Sequence, residues 1–222
     1  MATQADYFAD ARNCMVDSQI RPNRVADPRI LSAMRRLPRE RFLPASVSSL
    51  AYADEDVPLG NGRFMLEPMV LARLLQAANL RDGERVLVVG AGTGYGAAVL
   101  AACGCRVTAL EDDPALLAIA GAVLPAEAPA VSLVAGPLAA GWQAHAPYDL
   151  ILIEGAVPEI PPALAAQTHS ETGRVLTAIH RAGHITQAVI AEATAFGPSV
   201  SPLFDCGTQP IPSLRKAPVF AF

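Results

Sequence analysis

The sequence predicts an α/β fold, with a mainly parallel sheet that helices cover on both faces and an antiparallel edge at its C-terminal end. Three observations carry this. From Glu84 onward, short apolar runs alternate with helix-patterned stretches, a rhythm that implies right-handed crossovers between parallel strands. One run, "VLVVGAGTGYGAAVL" at residues 86–100, breaks into glycines and then turns alanine-rich, as a strand, a tight loop and a helix start would. The last runs lack helix-length segments between them, which suits antiparallel neighbours.

The first 80 residues read as a helical extension. Asp27 precedes Pro28, an N-cap followed by proline in the first turn, and Ile30, Leu31, Met34 and Leu37 recur at helical spacing. Pro38 and Pro44 punctuate the exit. Residues 57–68, "VPLGNGRFMLEP", read as a glycine-containing loop. Pro68 then opens a helix with Val70, Leu71, Leu74 and Leu75 on one side.

Residues 81–222 read as the core, forming one compact unit with the extension. Strands are expected at 85–89, 106–110, 131–134, 148–153, 174–179, 185–192 and 219–222. Helices are expected at 95–102 and 114–124, with a short one after Pro161 and Pro162.

Composition excludes several classes. The chain has 222 residues, 52% hydrophobic and 17% charged, enough for one sizeable core. No segment reaches the roughly 18 apolar residues of a membrane span, and the start lacks a cationic head before an apolar stretch. A soluble, cytoplasmic protein without a membrane partner is expected. The net charge of −4 argues against a nucleic-acid partner. Charge is uneven: residues 1–45 hold eight arginines against five acids, either a solvated face or a patch that attracts an anionic substrate. Cys14, Cys103, Cys105 and Cys206 form no zinc spacing. His180 and His184 are four apart, but Gly183 lies between them and strands flank them, so a turn without metal is expected.

Gly90, Gly92 and Gly94 make GxGxG directly after a strand, where glycine allows close backbone approach to a ligand. The next helix points its N-terminal amides into the same space. Glu111 ends the following strand, 21 residues after Gly90, where a carboxylate can accept from two ribose hydroxyls. Together they point to a nucleoside-containing ligand. A dinucleotide fingerprint fails from Gly90, since Tyr95 stands where glycine or alanine is needed. It passes only when shifted to Gly92, Gly94 and Ala97. GxGxG behind a helical preface suits S-adenosylmethionine better.

At this point the chain resembles the protein-L-isoaspartate O-methyltransferase family over most of its length. The matching strings are "MVDSQI", "ADPRILSAMRRLPRERFLP", "AYADEDVPLGNG", "VLVVGAGTGYGAAVLA", Gly141–Trp142 and "YDLILIEGAVPEIP". The resemblance implies a seven-stranded Rossmann-like methyltransferase sheet, S-adenosylmethionine as cofactor, and isoaspartyl-containing proteins or peptides as substrates for repair. It places Gly90, Ala91, Gly92, Thr93 and Gly94 at the methionine part, Glu111 at the ribose, and Asp112 and Leu138 near the adenine. The 57–68 loop would cover the methyl group.

The chain departs from that family at three places. Phe64-Met65-Leu66 stands where the family has threonine-isoleucine-serine, so Leu66 replaces a serine treated as catalytic. Arg63 and Glu67 replace neighbouring glutamines and become the candidate polar groups, Arg63 as an anchor for a substrate carboxylate. Gly136-Pro137-Leu138 replaces glycine-aspartate-glycine, and the end, "FDCGTQPIPSLRKAPVFAF", does not follow the family. A homologue that binds the cofactor but acts through another substrate or partner is the alternative. Base methylation is disfavoured: Glu154-Gly155-Ala156 follows the fourth strand, and no Pro-Cys occurs. A GxSxG elbow is also absent.

Overall fold

A computed structural model describes residues 3–194 and 197–215. The extension begins with α1 (Gln4–Met15), whose Thr3 and Asp6 form a reciprocal capping box. A widened π-turn follows at Val16–Ile20 and buries both of its end residues. In α2 (Pro28–Arg36), the Asp27 side chain accepts the Arg29 N–H, as the Asp-Pro pair predicts. Of the early arginines, Arg12, Arg21, Arg29, Arg35 and Arg41 sit in ion pairs with acids, and Arg39 is wholly buried.

The expected 57–68 loop contains a hairpin instead. β1 (Val57–Gly60) pairs antiparallel with β2 (Arg63–Met65) through Asn61 and Gly62, both at positive φ. Two consecutive left-handed residues match the twist of paired strands. α3 (Pro68–Ala78) follows and ends on left-handed Asn79.

The core contributes β3 (Arg85–Val89), α4 (Tyr95–Ala102), β4 (Arg106–Glu111), α5 (Pro114–Glu127) and β5 (Ser132–Ala135). It continues with β6 (Leu150–Val157), α6 (Pro162–Ala165), β7 (Arg174–Ile179), β8 (Gln187–Glu192) and β9 (Ser199–Asp205). α5 passes its expected end at Leu124, because Pro125 removes only its own N–H donor, and the Ala128 N–H still reaches the Leu124 carbonyl at 2.8 Å.

The seven-stranded sheet has the order β5-β4-β3-β6-β7-β8-β9. β5 through β7 are parallel, and β8 is antiparallel to both neighbours. The edge strand at 199–205 is one the sequence pattern did not single out, and the expected strand at 219–222 lies outside the described residues. Pro202 sits in β9, which only an edge strand tolerates, and the pairing with β8 is irregular there.

Alternation along β3 sends Val86 and Val88 to one face and Leu87 and Val89 to the other. The first face packs residues of α2 to α5. The second is covered more thinly, by α6, Tyr148, Leu138, Ile211 and Leu214. Among the described residues, no helix is long and apolar enough to cross a membrane.

Candidate active site

The chain order reverses between β3 and β6, and in open α/β sheets ligands bind at such a switch point, beyond the carboxyl ends of the strands. Gly90 directly follows β3 there, and Glu154 to Val157 end β6. Gly90, Gly92 and Gly94 have φ of +69°, +57° and +94°, which side chains with a Cβ rarely adopt. Gly94 caps α4. Ala91 and Thr93 are buried beside them, and the Thr93 hydroxyl has no hydrogen-bond partner among the described residues.

Glu111 closes β4 at this crevice and is fully buried. It accepts five hydrogen bonds. The backbone N–H groups of Gly92, Asp112 and Asp113 donate at 2.7, 2.9 and 3.0 Å. The Arg63 guanidinium supplies the other two, Nη1 to Oε1 at 2.6 Å and Nη2 to Oε2 at 3.0 Å. Arg63 Nη2 also donates to the Gly90 carbonyl at 2.9 Å. A carboxylate offers roughly four lone-pair sites, so Glu111 has none to spare. Asp112 lies at the rim, 3.5 Å from Arg63 Nη1.

A second occupant arrives from the C-terminal segment. The Ala156 N–H donates to the Gln209 carbonyl and the Ile211 N–H to the Ala156 carbonyl, each at 2.9 Å. Asp56 ties this strap to the loop by accepting the Glu67 N–H at 2.8 Å and the Gln209 N–H at 3.1 Å. Ile211 thereby enters the crevice. A Cβ added at Gly90 would meet Arg63 Nη2 at 3.0 Å, Ile211 Cδ1 at 3.1 Å and Leu138 Cδ1 at 3.5 Å. The space left between loop, strap and β6 is about 10 Å³, room for roughly one water.

The loop departures are also placed. Leu66 is buried, with its carbonyl bonded by Arg39 Nη2 at 2.7 Å. Arg39 Nε donates to the Ala51 carbonyl at 2.7 Å, and its guanidinium lies 4.8 Å from the Tyr95 ring centre. Phe64 borders the residual space. Glu67 precedes α3 as its N-cap residue and is not among the residues lining the residual space; burial, then the neighbouring Asp54 and Asp56, pushes its carboxyl up to about 7. Glu154 sits in an irregular stretch of β6, where pairing with β7 breaks between Leu152 and Ala156, a device that re-aims side chains beside sites. Burial pushes the Glu154 carboxyl up to about 8, and its Oε1 has no hydrogen-bond partner among the described residues.

The fold brings together the glycine loop, Glu111, Asp112, Leu138 and Arg63. The sequence pattern missed Ile211, Gln209 and Asp56, which meet only in three dimensions. His180 and His184 belong to the turn between β7 and β8, where the His180 ring bonds Thr186. Among the described residues, no group of three or more His, Cys, Asp or Glu could hold a metal. A groove of about 650 Å³ lies elsewhere, against Ile160, Val175, Ala191 and Val200, and contains none of these site residues.

In this arrangement Glu111 is saturated by protein donors, and Arg63 and Ile211 cover Gly90, so an adenosyl ligand reaches the ribose position only if Arg63 moves.

Comparison with known proteins places the chain among relatives of one kind. The family model for protein-L-isoaspartate(D-aspartate) O-methyltransferase matches residues 10–195. A protein-L-isoaspartate O-methyltransferase of Methylorubrum extorquens is 45% identical over 159 residues, 72% of this chain and 70% of the relative. One from Anaeromyxobacter is 39% identical over 188 residues, 84% and 77%. A solved protein-L-isoaspartate O-methyltransferase superposes with a TM-score of 0.78 at 23% identity, over 93% of this chain and 67% of that one. A Plasmodium falciparum structure described in the same terms, in complex with S-adenosyl-L-homocysteine, gives 0.77 at 17% identity, over 91% and 98%. These two superpositions speak to the fold alone.

Proposed function

Because the chain belongs to the protein-L-isoaspartate(D-aspartate) O-methyltransferase family, we propose that it is an S-adenosylmethionine-dependent carboxyl O-methyltransferase that esterifies isoaspartyl side chains of damaged proteins. The observation that carries this reading is the 45% identity to a relative named for that activity. A cytoplasmic location belongs to the same reading.

The acceptor carboxylate, with a pKa near 4, is already ionised at neutral pH and needs no general base. The protein's task is then alignment and exclusion of water, which a buried crevice under the β1–β2 hairpin suits. The cofactor set on this reading is Gly90, Ala91, Gly92, Thr93, Gly94, Glu111, Asp112 and Leu138. Loss of the loop hydroxyl at Leu66 slows an alignment-driven reaction without removing its chemistry. As arranged, Arg63 occupies Glu111 and, with Ile211, covers Gly90.

The test is transfer of a labelled methyl group from fresh S-adenosylmethionine to an isoaspartyl peptide beside its aspartyl twin. Base-labile label on the isoaspartyl peptide alone supports the reading. No label on either, from folded protein with Arg63 substituted as below, contradicts it. The closed crevice favours a second reading, a homologue that works through another acceptor or a partner. Label on a different acceptor class would decide for it.

A further inference from the structure

We propose that Arg63 is a built-in occupant of the ribose position, so that the nucleoside cofactor binds only after Arg63 has left Glu111. This rests on the functional reading above and goes beyond it, because it assigns Arg63 a gating role toward this chain's own cofactor crevice.

Chemistry makes the two groups competitors. A ribose diol presents two adjacent hydroxyl donors to a carboxylate, and a guanidinium presents two parallel N–H donors. Here the guanidinium already holds both oxygens of Glu111, and its third contact, to the Gly90 carbonyl, lays it across the first glycine of the loop. The pair is buried, with side chains 5% and 0% exposed.

The fold holds Arg63 in that place and offers it another. The residue starts β2 directly after the Asn61–Gly62 turn, and the Asn61 amide donates to Asp113 at 2.8 Å. The turn is thereby clipped to the segment that follows Glu111. Asp112, 28% exposed, stands 3.5 Å from Nη1, an acceptor at the rim for a guanidinium that turns outward. A binding-competent state populated only in part lowers apparent affinity by that fraction. Removing the occupant raises it.

The experiment is calorimetric titration of the full chain, wild type, Arg63→Gln and Arg63→Lys, with S-adenosylhomocysteine. Arg63→Gln should bind at least tenfold more tightly than wild type. Arg63→Lys, which keeps charge but loses the two-pronged grip, should gain at least threefold. Circular dichroism checks folding. Should Arg63→Gln not fold, the lysine variant decides. Smaller gains, unchanged affinity, a loss, or no binding by any of the three proteins overturns the proposal. Methyl transfer separates it from the functional reading. Tighter binding without transfer to an isoaspartyl peptide by any variant keeps the gate and sinks the activity, whereas transfer without tighter binding does the reverse.

Discussion

Arg63 and Glu111, 48 residues apart, meet as a two-pronged ion pair with N···O distances of 2.6 and 3.0 Å at the switch point of the sheet. Breaking a buried pair by removing one partner leaves the other charge uncompensated, typically at a cost of about 3–5 kcal/mol. Glu111→Gln should therefore lower the unfolding free energy by about 3 kcal/mol, measured by urea denaturation. It also leaves the three backbone donors around the carboxylate with a poorer acceptor. A change within about 0.5 kcal/mol would show that the pair is not buried as described.

Glu154 gives a pH signature. Its carboxyl titrates near 8 in the folded chain, raised by burial from an ordinary 4.5. The folded state then holds more protons than the unfolded chain between those values, so stability falls as pH rises through that window. Each pH unit spent there costs about 1.4 kcal/mol. Below pH 4.5 the contribution is intact, and above 8 the loss is complete. Glu154→Gln should flatten the difference between denaturation curves at pH 5 and pH 8 and be the more stable protein at pH 8. Parallel profiles for the two proteins would refute this.

Arg39 joins three elements that the sequence keeps apart, through the Ala51 and Leu66 carbonyls and the Tyr95 ring. Hydrogen bonds to charged groups contribute roughly 1.5–3 kcal/mol each, and orphaned buried carbonyls are costly. Arg39→Met keeps much of the volume but removes both donors. Its unfolding free energy should drop by about 3 kcal/mol in guanidinium denaturation. An unchanged midpoint would mean that Arg39 contributes packing only.

Asp56 holds the C-terminal strap against the loop through Gln209. Asp56→Ala should speed hydrogen exchange at the Gln209 and Ile211 amides by about tenfold, from the loss of roughly 1–2 kcal/mol of local stability. Exchange at the Val88 amide in the sheet centre should not change. Equal protection of the strap in both proteins would show that its bonds to Ala156 and its packing hold Ile211 without Asp56.

Much of this was legible in the sequence, for physical reasons that differ by element. β3, α4 and β4 follow from an apolar run bounded by glycines at positive φ and an acid one strand later. The hairpin carried a local signal, Asn61–Gly62 between Leu59 and Phe64, but Pro58 and the flanking glycines make the stretch look like a loop. β9 was hidden by Pro202, which argues against a strand except at a sheet edge. The crevice was legible only on one side. Gly90 and Glu111 announce themselves by spacing, whereas no local pattern tells that Ile211 comes to lie on Gly90. Arg63 was visible as a charged replacement in the loop, and its pairing with Glu111 required the fold.

On this proposal Arg63 holds the ribose position, and the cofactor binds once it has left Glu111. The most direct test is to locate its guanidinium in crystals of the wild-type chain grown without ligand and then soaked with S-adenosylhomocysteine. The account predicts Arg63 on Glu111 in the free crystal, and the ribose hydroxyls on Glu111 with Arg63 turned toward Asp112 in the soaked one. A free crystal with an open crevice and Arg63 in solvent, or a bound nucleoside with Arg63 still gripping Glu111, would contradict it.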